Sequence, residues 1–427
     1  MWSLGIIIYV LFFRDYPYKG ENQLSLLNQI TNQGQNLLRY SNNKYFDDLV
    51  RKLLTEDQNK RITWKEYFND PFFITPEKQK KENKIVIKLK IKKDSISKNI
   101  YFLSDNFNEI NETNIELLYI NNKQTNFNKF FKTSEEGEYE IKIIFKNNIN
   151  NCNYMFNKCN EIISIDLSSF DSSDVTNMSY MFSECNNLEN INLYNLNVNN
   201  VKDMSYMFNK CDALKKIEFP DSFKTQSLEK MTSMFHLCQN LSEIIFPPSF
   251  NTSKVKNMKT LFGKCYSLKK LIIIYFNTEE VTDMGYMFDQ CSALEEILIN
   301  PSIFKTDKVI NMAHMFSGCQ VLKEINISSF NIQDVKLTSF MFENCEKLEE
   351  VDLSNSKINK GANMIHMFEG CTNIKKINIS SFEVTEPNKL ENIFDNLSKS
   401  VKIIVNKNCL QQYKKLFNKI ESNFLSN

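Results

Sequence analysis

Cysteines recur at a nearly constant interval through about half of the chain. Successive intervals are 26, 26, 27, 27, 26, 28, 26 and 26 residues, between Cys159, Cys185, Cys211, Cys238, Cys265, Cys291, Cys319, Cys345 and Cys371. Each cysteine ends a block such as MFNKC or MFSEC. One cysteine per unit indicates a structural repeat rather than a disulfide scheme or a Cys-x-x-Cys metal site. We predict that these nine thiols line up as small, inert groups inside the fold.

Apolar residues keep the same places around each cysteine. Before Cys211 they are spaced 3, 3, 1 and 3 residues apart, as on one face of a helix: Val201, Met204, Met207, Phe208. After it, Ile217 and Phe219 alternate with polar residues, as in a short strand. A unit of 26 residues cannot bury its apolar face alone, so stacked copies must share a core. We predict an α/β solenoid of nine repeats and a degenerate tenth, with one strand of a parallel sheet and one helical segment per repeat.

This unit resembles the BspA-like leucine-rich repeats, whose pattern reads L-x-x-I-x-L followed by V-x-x-M-x-x-M-F-x-x-C. The resemblance covers about residues 150–400. It implies a leucine-rich-repeat solenoid that binds other proteins or mediates adhesion, and it implies no catalysis.

The predicted strands offer a candidate binding surface. The fifth place after each cysteine is polar or charged, whereas the seventh place holds three consecutive apolar residues at the centre of the array. Together with Ile274 they form a hypothetical partner-binding patch: Ile245, Ile272, Ile274, Leu298. The alternative is that these residues merely suit a half-buried strand.

The fifth place before each cysteine is aromatic in seven of the nine repeats, beginning with Tyr154, Tyr180 and Tyr206. We expect these rings to stack between neighbouring repeats. Two of the three histidines, His314 and His366, belong to this row, and His236 lies outside it. None has a catalytic or metal partner in the sequence pattern, so we predict no catalytic residue, no metal and no cofactor.

The regions on either side of the repeats differ from them. Residues 77–148 alternate apolar and polar residues in several runs, and we predict a small β-rich domain that covers the first repeat. The solenoid is assigned to residues 149–400. Residues 401–427 are predicted to cap the far end with a strand (VKIIV) and a helix whose apolar face carries Leu410, Tyr413, Phe417, Ile420 and Phe424.

Residues 1–76 resemble the closing part of a eukaryotic serine/threonine protein kinase C-lobe. Trp2, Ser3 and Gly5 match the family's D-x-W-S-x-G helix, and LLTEDQNKRIT carries the family's late arginine as Arg61. The resemblance gives Trp2 and Arg61 structural roles in a helical kinase fragment. The Gly-rich loop, catalytic loop and metal-binding aspartate of the family are absent, so the chain as it stands is predicted to be a non-catalytic pseudokinase fragment.

Composition narrows the remaining choices. The net charge of +1 gives no global attraction for nucleic acid. The opening apolar run is too short to span a membrane, and we expect an intracellular, cytoplasmic protein that binds partner proteins of unknown identity. Two alternatives stay open. The sequence is part of a longer, active kinase whose repeats direct it to partners, or it is an extracellular BspA-like adhesin.

Overall fold

The computed structural model describes residues 44–55, 82–327, 330–356, 362–382, 387–417 and 423–426, and also residues 6, 9 and 63. The chain divides into two compact units, Met1–Lys81 and Glu82–Asn427. In the first unit, helix α1 spans Lys44–Leu53 and buries the apolar side chains of Phe46, Leu49, Val50 and Leu53. Trp2 and Arg61 lie outside the described residues. No described helix has the length and apolar character that a membrane span needs.

The second unit begins with a sheet that merges with the repeats. Its strands before the repeats are β1 (Lys84–Ile91), β2 (Ile100–Tyr101), β3 (Ile115–Ile120), β4 (Lys123–Thr125), β5 (Phe130–Phe131) and β6 (Gly137–Phe145). The main sheet has the order β4-β3-β6-β1 and continues beyond β1 with the first two strands of the repeats, and β2 and β5 form a separate antiparallel pair. Successive side chains of β1 point to opposite faces of the sheet, so every second residue is buried. This explains why apolar residues alternate with lysines along the strand.

We number the repeats 1 to 9 by their cysteines, from Cys159 to Cys371. Each repeat except the seventh contributes a short strand directly after its cysteine. These strands are β7 (Ile162–Asp166), β8 (Asn190–Asn192), β9 (Lys216–Glu218), β10 (Glu243–Ile245), β11 (Lys270–Ile272), β12 (Glu296–Leu298), β13 (Glu350–Asp352) and β14 (Lys376–Ile379). Neighbours pair in parallel as β7–β8, β9–β10, β11–β12 and β13–β14. The first of them, β7, pairs with β1 in antiparallel fashion, so the two regions share one sheet.

The opposite side of each repeat is built from tight turns, and the predicted helical segment is wrong. In repeat 2, Tyr180 and Glu184 have φ values of 57° and 61°, in the left-handed region. Alternate amides donate to the carbonyl three residues back, as from Ser183 to Tyr180 at 3.1 Å. The amides between them donate to the next repeat, as from Phe182 to Met207 at 2.9 Å. A helix would direct every amide along its own axis, whereas these turns bond each repeat to the next. The solenoid is therefore mostly β.

Ladders of identical side chains fill the interior between the two sides. Phenylalanines three places before each cysteine stack face to face from Phe156 to Phe368, with neighbouring ring centroids 5.3 to 5.7 Å apart. Methionine and leucine side chains on either side of this ladder are fully buried. The strands before the repeats contribute residues such as Ile85 and Ile143 to the same core.

The array ends with β15 (Lys402–Val405), helix α2 (Leu410–Leu416) and β16 (Phe424–Ser426). The sheet order β13-β14-β15-β16 continues the repeats. Sequence spacing placed Phe424 on the same helical face as Leu410 and Tyr413, but α2 ends at Leu416 and Phe424 lies in a strand. Its ring still packs 5.7 Å from that of Tyr413, so the residue joins the predicted apolar cluster from a different element.

Candidate protein-binding surface

The strand side of the repeats presents two parallel rows of side chains. In the row five places after the cysteines, charged side chains of neighbouring repeats form ion pairs with one another. Lys216 lies 3.4 Å from Glu243 of the next repeat, and Lys270 lies 2.5 Å from Glu296. These ammonium and carboxylate groups are about half exposed, so each pair adds little to stability. This row provides a solvated, neutral border.

In the first and last repeats of the array, the side chains seven places after the cysteines lie where the strands finish. The Oδ1 atoms of Asp166 and Asn192 accept hydrogen bonds from the amides two residues on, at 2.9 and 3.0 Å. The Asn192 side chain also donates to Asp166 at 2.9 Å, which links the two repeats. Asp352 and Asn378 repeat this arrangement in repeats 8 and 9. Such turns fix the chain as it leaves the strand.

The central repeats lack these polar side chains at the same place. Ile245, Ile272 and Leu298 occupy it instead, and they lie one above another on β10, β11 and β12. Ile272 is 43% exposed, and Ile245 and Leu298 are half-buried. Ile274 is also half-buried, and Tyr275 beside it is 40% exposed. We call these five residues the central apolar stripe. Sequence analysis missed Tyr275, although its place in an apolar run (LIIIYF) was a usable signal.

The nine cysteines lie in the core, each fully buried. From repeat 2 onward, each Sγ donates to the carbonyl of the phenylalanine in the preceding repeat, as from Cys185 to Phe156 at 2.9 Å and from Cys265 to Phe235 at 3.1 Å. Burial raises the pKa of Cys185 and Cys238 to about 12. Such thiols are neutral and shielded, so this row offers no reactive centre.

The aromatic row on the turn side stacks as predicted. Ring centroids of Tyr154, Tyr180 and Tyr206 are 4.6 Å apart, and His314 stacks on Tyr286 and Phe340 at 4.5 Å. The row is interrupted at Ser233 and Thr260. In repeat 4 a histidine, His236, stands three residues after the missing ring. It contacts the Asn209 side chain at 3.2 Å, and burial lowers its pKa to about 4.

A buried carboxylate escaped sequence analysis. Asp289 lies two places before its cysteine and is only 7% exposed. Burial raises the pKa of Asp289 to about 6, although Lys264 opposes that change. The hydroxyl of Ser317, which also contacts Asp289, donates to Glu343 at 3.0 Å. No group of three or more histidine, cysteine, aspartate or glutamate residues in the described part of the chain is arranged to hold a metal.

Comparison with protein families finds two matches. The family described as "Mycoplasma protein of unknown function, DUF285" matches five overlapping stretches, 101–219, 125–246, 213–301, 231–325 and 296–408. Together they cover residues 101–408, which include the strands before the repeats from β3 onward and the nine repeats. The protein kinase domain family matches residues 1–73.

Curated relatives match the N-terminal region. A putative serine/threonine-protein kinase of Acanthamoeba polyphaga mimivirus is 39% identical over 77 residues, which are 17% of each chain. A probable serine/threonine-protein kinase of Dictyostelium discoideum is 37% identical over 75 residues, 18% of this chain and 9% of its own. A serine/threonine-protein kinase of Schizosaccharomyces pombe is 32% identical over 72 residues, which are 17% of this chain and 20% of its own. The chain thus spans no more than a fifth of these relatives.

Among solved structures, the pneumococcal vaccine antigen PcpA matches with 14% sequence identity and a TM-score of 0.25. The match covers 60% of this chain and 76% of that one. A TM-score of this size does not establish a shared fold.

Proposed function

The chain belongs, over residues 101–408, to the family described as Mycoplasma protein of unknown function, DUF285, and on that premise we propose that its repeats form a non-catalytic scaffold that binds another protein. One observation carries the proposal. Asp and Asn side chains end the strands at both ends of the array, but the central apolar stripe replaces them where it is exposed to solvent. Giving up these hydrogen bonds for exposed apolar groups gains nothing in an isolated chain.

The border of the stripe supports a protein ligand rather than a nucleic acid. Lysine and glutamate side chains alternate from Lys216 to Glu296 and neutralise one another across repeats. A surface that binds nucleic acid needs an excess of positive charge. A neutral border around exposed aliphatic and aromatic groups is typical of a protein interface.

An Ile272→Asp variant tests this proposal. The matched control is Ile310→Asp, because Ile310 is 44% exposed and lies outside the stripe, on the turn side of repeat 7. Both variants should show the circular dichroism spectrum and melting temperature of the wild type. In affinity capture from an extract of the source cells, we expect a protein that the wild type and Ile310→Asp retain and Ile272→Asp loses. If a folded Ile272→Asp keeps every protein that the wild type captures, the proposal is wrong.

We further propose that residues 77–148 cap the solenoid. Strand β1 occupies the outer edge of β7 along the register Val86 to Asp166 and Ile87 to Ile165. An uncovered edge strand offers free amides and carbonyls to other chains. Apolar residues of β1 enter the core of the first repeats, so the cap has packing as well as hydrogen bonds.

Residues 1–73 favour a second candidate, in which the repeats direct a serine/threonine protein kinase to its partners. The kinase family match and the three kinase relatives support it. A cytoplasmic location also rests on this resemblance. The chain as given carries none of the family's nucleotide-binding motifs, so we expect no binding of a fluorescent ATP analogue with magnesium. Saturable binding of that analogue would favour the kinase candidate over the non-catalytic scaffold.

A further inference from the structure

The strand side of the solenoid is not a continuous sheet. Strands pair in twos, as β9 with β10 and β11 with β12, and no backbone hydrogen bond joins β10 to β11. The amide of Phe219 in repeat 3 donates to Ile245 at 3.1 Å, and that of Ile273 in repeat 5 donates to Leu298 at 2.9 Å. The Phe246 amide has the same place in repeat 4 and makes no such bond.

The repeats are more widely spaced on the strand side than on the turn side. Corresponding rings in successive repeats are nearly parallel, so the distance between their centroids measures the local repeat spacing. That distance is 4.6 Å for Tyr154 and Tyr180 on the turn side. In the core beyond the strands it is 6.1 Å for Phe223 and Phe250, whose repeats have bonded strands, and 5.7 Å for Phe250 and Phe276, whose repeats do not. Bonded strands lie about 4.8 Å apart. Where the spacing is wider, bonds form at some interfaces and are absent at others.

The interface between repeats 4 and 5 also lacks two contacts of the turn side. At other interfaces, the amide of the methionine seven places before the cysteine donates to a carbonyl of the next repeat, as from Met204 to Lys230 and from Met258 to Asp283, each at 2.9 Å. Met231 makes no corresponding bond to Asn257, although Lys230 and Asn257 still pair as an isolated parallel bridge, as the equivalent residues do at the other interfaces. Aromatic stacking is missing too, because Ser233 and Thr260 replace the rings.

The other interrupted strand interfaces keep these contacts. Between repeats 2 and 3, the Met178 amide donates to Asp203 at 2.9 Å, and Tyr180 stacks on Tyr206. Between repeats 6 and 7, the Met284 amide donates to Asn311 at 2.9 Å. In a repeat protein, stability depends on the contacts between neighbours, and the weakest interface opens first.

We propose that the interface between repeats 4 and 5 is a joint, at which the solenoid opens and bends before any other internal interface. Contacts that remain hold the two sides together. They include the stacking of Phe235 on Phe262 at 5.6 Å, the hydrogen bond from Thr252 Oγ1 to the Asn277 carbonyl at 2.7 Å, and bonds from the amides of Ser233, Phe235 and Leu237 to carbonyls of repeat 5 at 2.9 to 3.0 Å. The chain on each side keeps its paired strands.

The joint runs through the central apolar stripe. Ile245 lies on β10 and Ile272 on β11, so any protein that contacts both side chains bridges the joint. Binding at the stripe would then close the joint and stiffen the array. This last consequence rests on the proposed function, whereas the joint itself does not.

Hydrogen exchange at single-residue resolution in the full chain tests the joint without a partner. The amides of Phe246 and Lys270 face the joint, and those of Phe219, Ile273, Glu243 and Glu296 are their bonded counterparts. After correction for intrinsic rates, we expect the first two to exchange at least tenfold faster than the other four. Protection equal within threefold would overturn the proposal, whatever the capture experiment with Ile272→Asp shows.

A cross-link gives a second measurement. The paired substitutions Glu243→Cys and Lys270→Cys place a disulfide across the joint, and Lys270→Cys with Glu296→Cys places one across the paired strands β11 and β12. The chain's own cysteines are buried and do not compete. Oxidation of the first pair should slow exchange of the Phe246 amide at least fivefold, and oxidation of the second should leave it unchanged. An unchanged Phe246 rate in the first variant contradicts the joint.

Discussion

At the scale of single residues, burial decides the chemistry of the most regular feature of the sequence. A thiol that lies in an apolar core loses the hydration that its charged form needs, and its pKa rises. Cys291 and Cys371 have pKa values of about 12 for this reason. The regularly spaced cysteines are therefore unreactive thiols in the folded protein.

All eleven cysteines are buried, and for the ten from Cys152 to Cys371 burial also raises the pKa of the thiol. At pH 8 we expect none to react with 5,5′-dithiobis(2-nitrobenzoic acid) within minutes in the native protein. In denaturant, which exposes every thiol to the reagent, all eleven should react. The release of thionitrobenzoate measures both. A native protein that titrates several thiols at once would place them outside the core.

The buried carboxylate of Asp289 predicts a pH dependence. Its pKa of about 6 in the folded protein exceeds the 3.8 of an ordinary aspartate, so the folded state holds the proton more tightly. Stability from this group is full below about pH 4 and is lost as the pH rises through 6. Two pKa units correspond to roughly 2 to 3 kcal/mol.

We therefore expect Asp289→Asn to raise the melting temperature at pH 7 and to have little effect at pH 4. Asp334→Asn is the control, because Asp334 is exposed. Thermal unfolding monitored by circular dichroism across pH 4 to 7 measures the difference. A stabilisation by Asp289→Asn that is equal at both ends of this range would contradict the assigned cause.

At the scale of elements, hydroxyl groups link the repeats at a third side of the solenoid. Thr225, Thr252 and Thr306 are 1% exposed, and each Oγ1 donates to a backbone carbonyl of the next repeat at 2.7 to 2.9 Å. Valine stands at this place in repeat 2, as Val198, and it is fully buried. The pocket thus accepts a β-branched side chain with or without the hydroxyl.

Substitution Thr225→Val isolates the hydrogen bond from the packing. Valine has the same shape and leaves the Asn251 carbonyl and amide without the Thr225 oxygen. We expect a loss of about 1 to 2 kcal/mol in the free energy of unfolding, measured by urea denaturation. Thr225→Ser keeps the donor and should lose less. If valine is the milder of the two substitutions, packing rather than hydrogen bonding holds this side together.

The elements also show where sequence reasoning succeeds and fails. The cysteine interval predicted stacked repeats, because only stacking lets identical apolar residues share a core. Apolar spacing of 3, 3, 1 and 3 predicted a helix, but consecutive turns that each close over three residues give the same spacing. The distinguishing signal was Gly318, Asn344 and Gly370 directly before the cysteine, where the backbone has positive φ. Side-chain exposure on the strands and the loss of pairing between β10 and β11 depend on how whole repeats stack on one another, which no single repeat reveals.

At the scale of the whole molecule, the chain consists of two units with separate cores. Helix α1 buries Phe46, Leu49 and Leu53 within the first unit. The second unit holds one continuous core from Ile85 to Phe424, and its first strands cover the edge of the repeats. The described core of the repeats therefore draws its apolar side chains from residues after 81.

We accordingly expect residues 82–427, produced alone, to fold and to unfold at the same temperature as the repeats in the full chain, within about 2 °C. A second truncation tests the contribution of the cap. Removing residues 82–148 as well exposes β7 and the apolar residues that β1 covered, so a chain of residues 149–427 should melt at a lower temperature and aggregate. Differential scanning calorimetry and light scattering distinguish the two truncations. If the first truncation destabilises the repeats as much as the second, residues 1–81 belong to their core, and the division into two units is wrong.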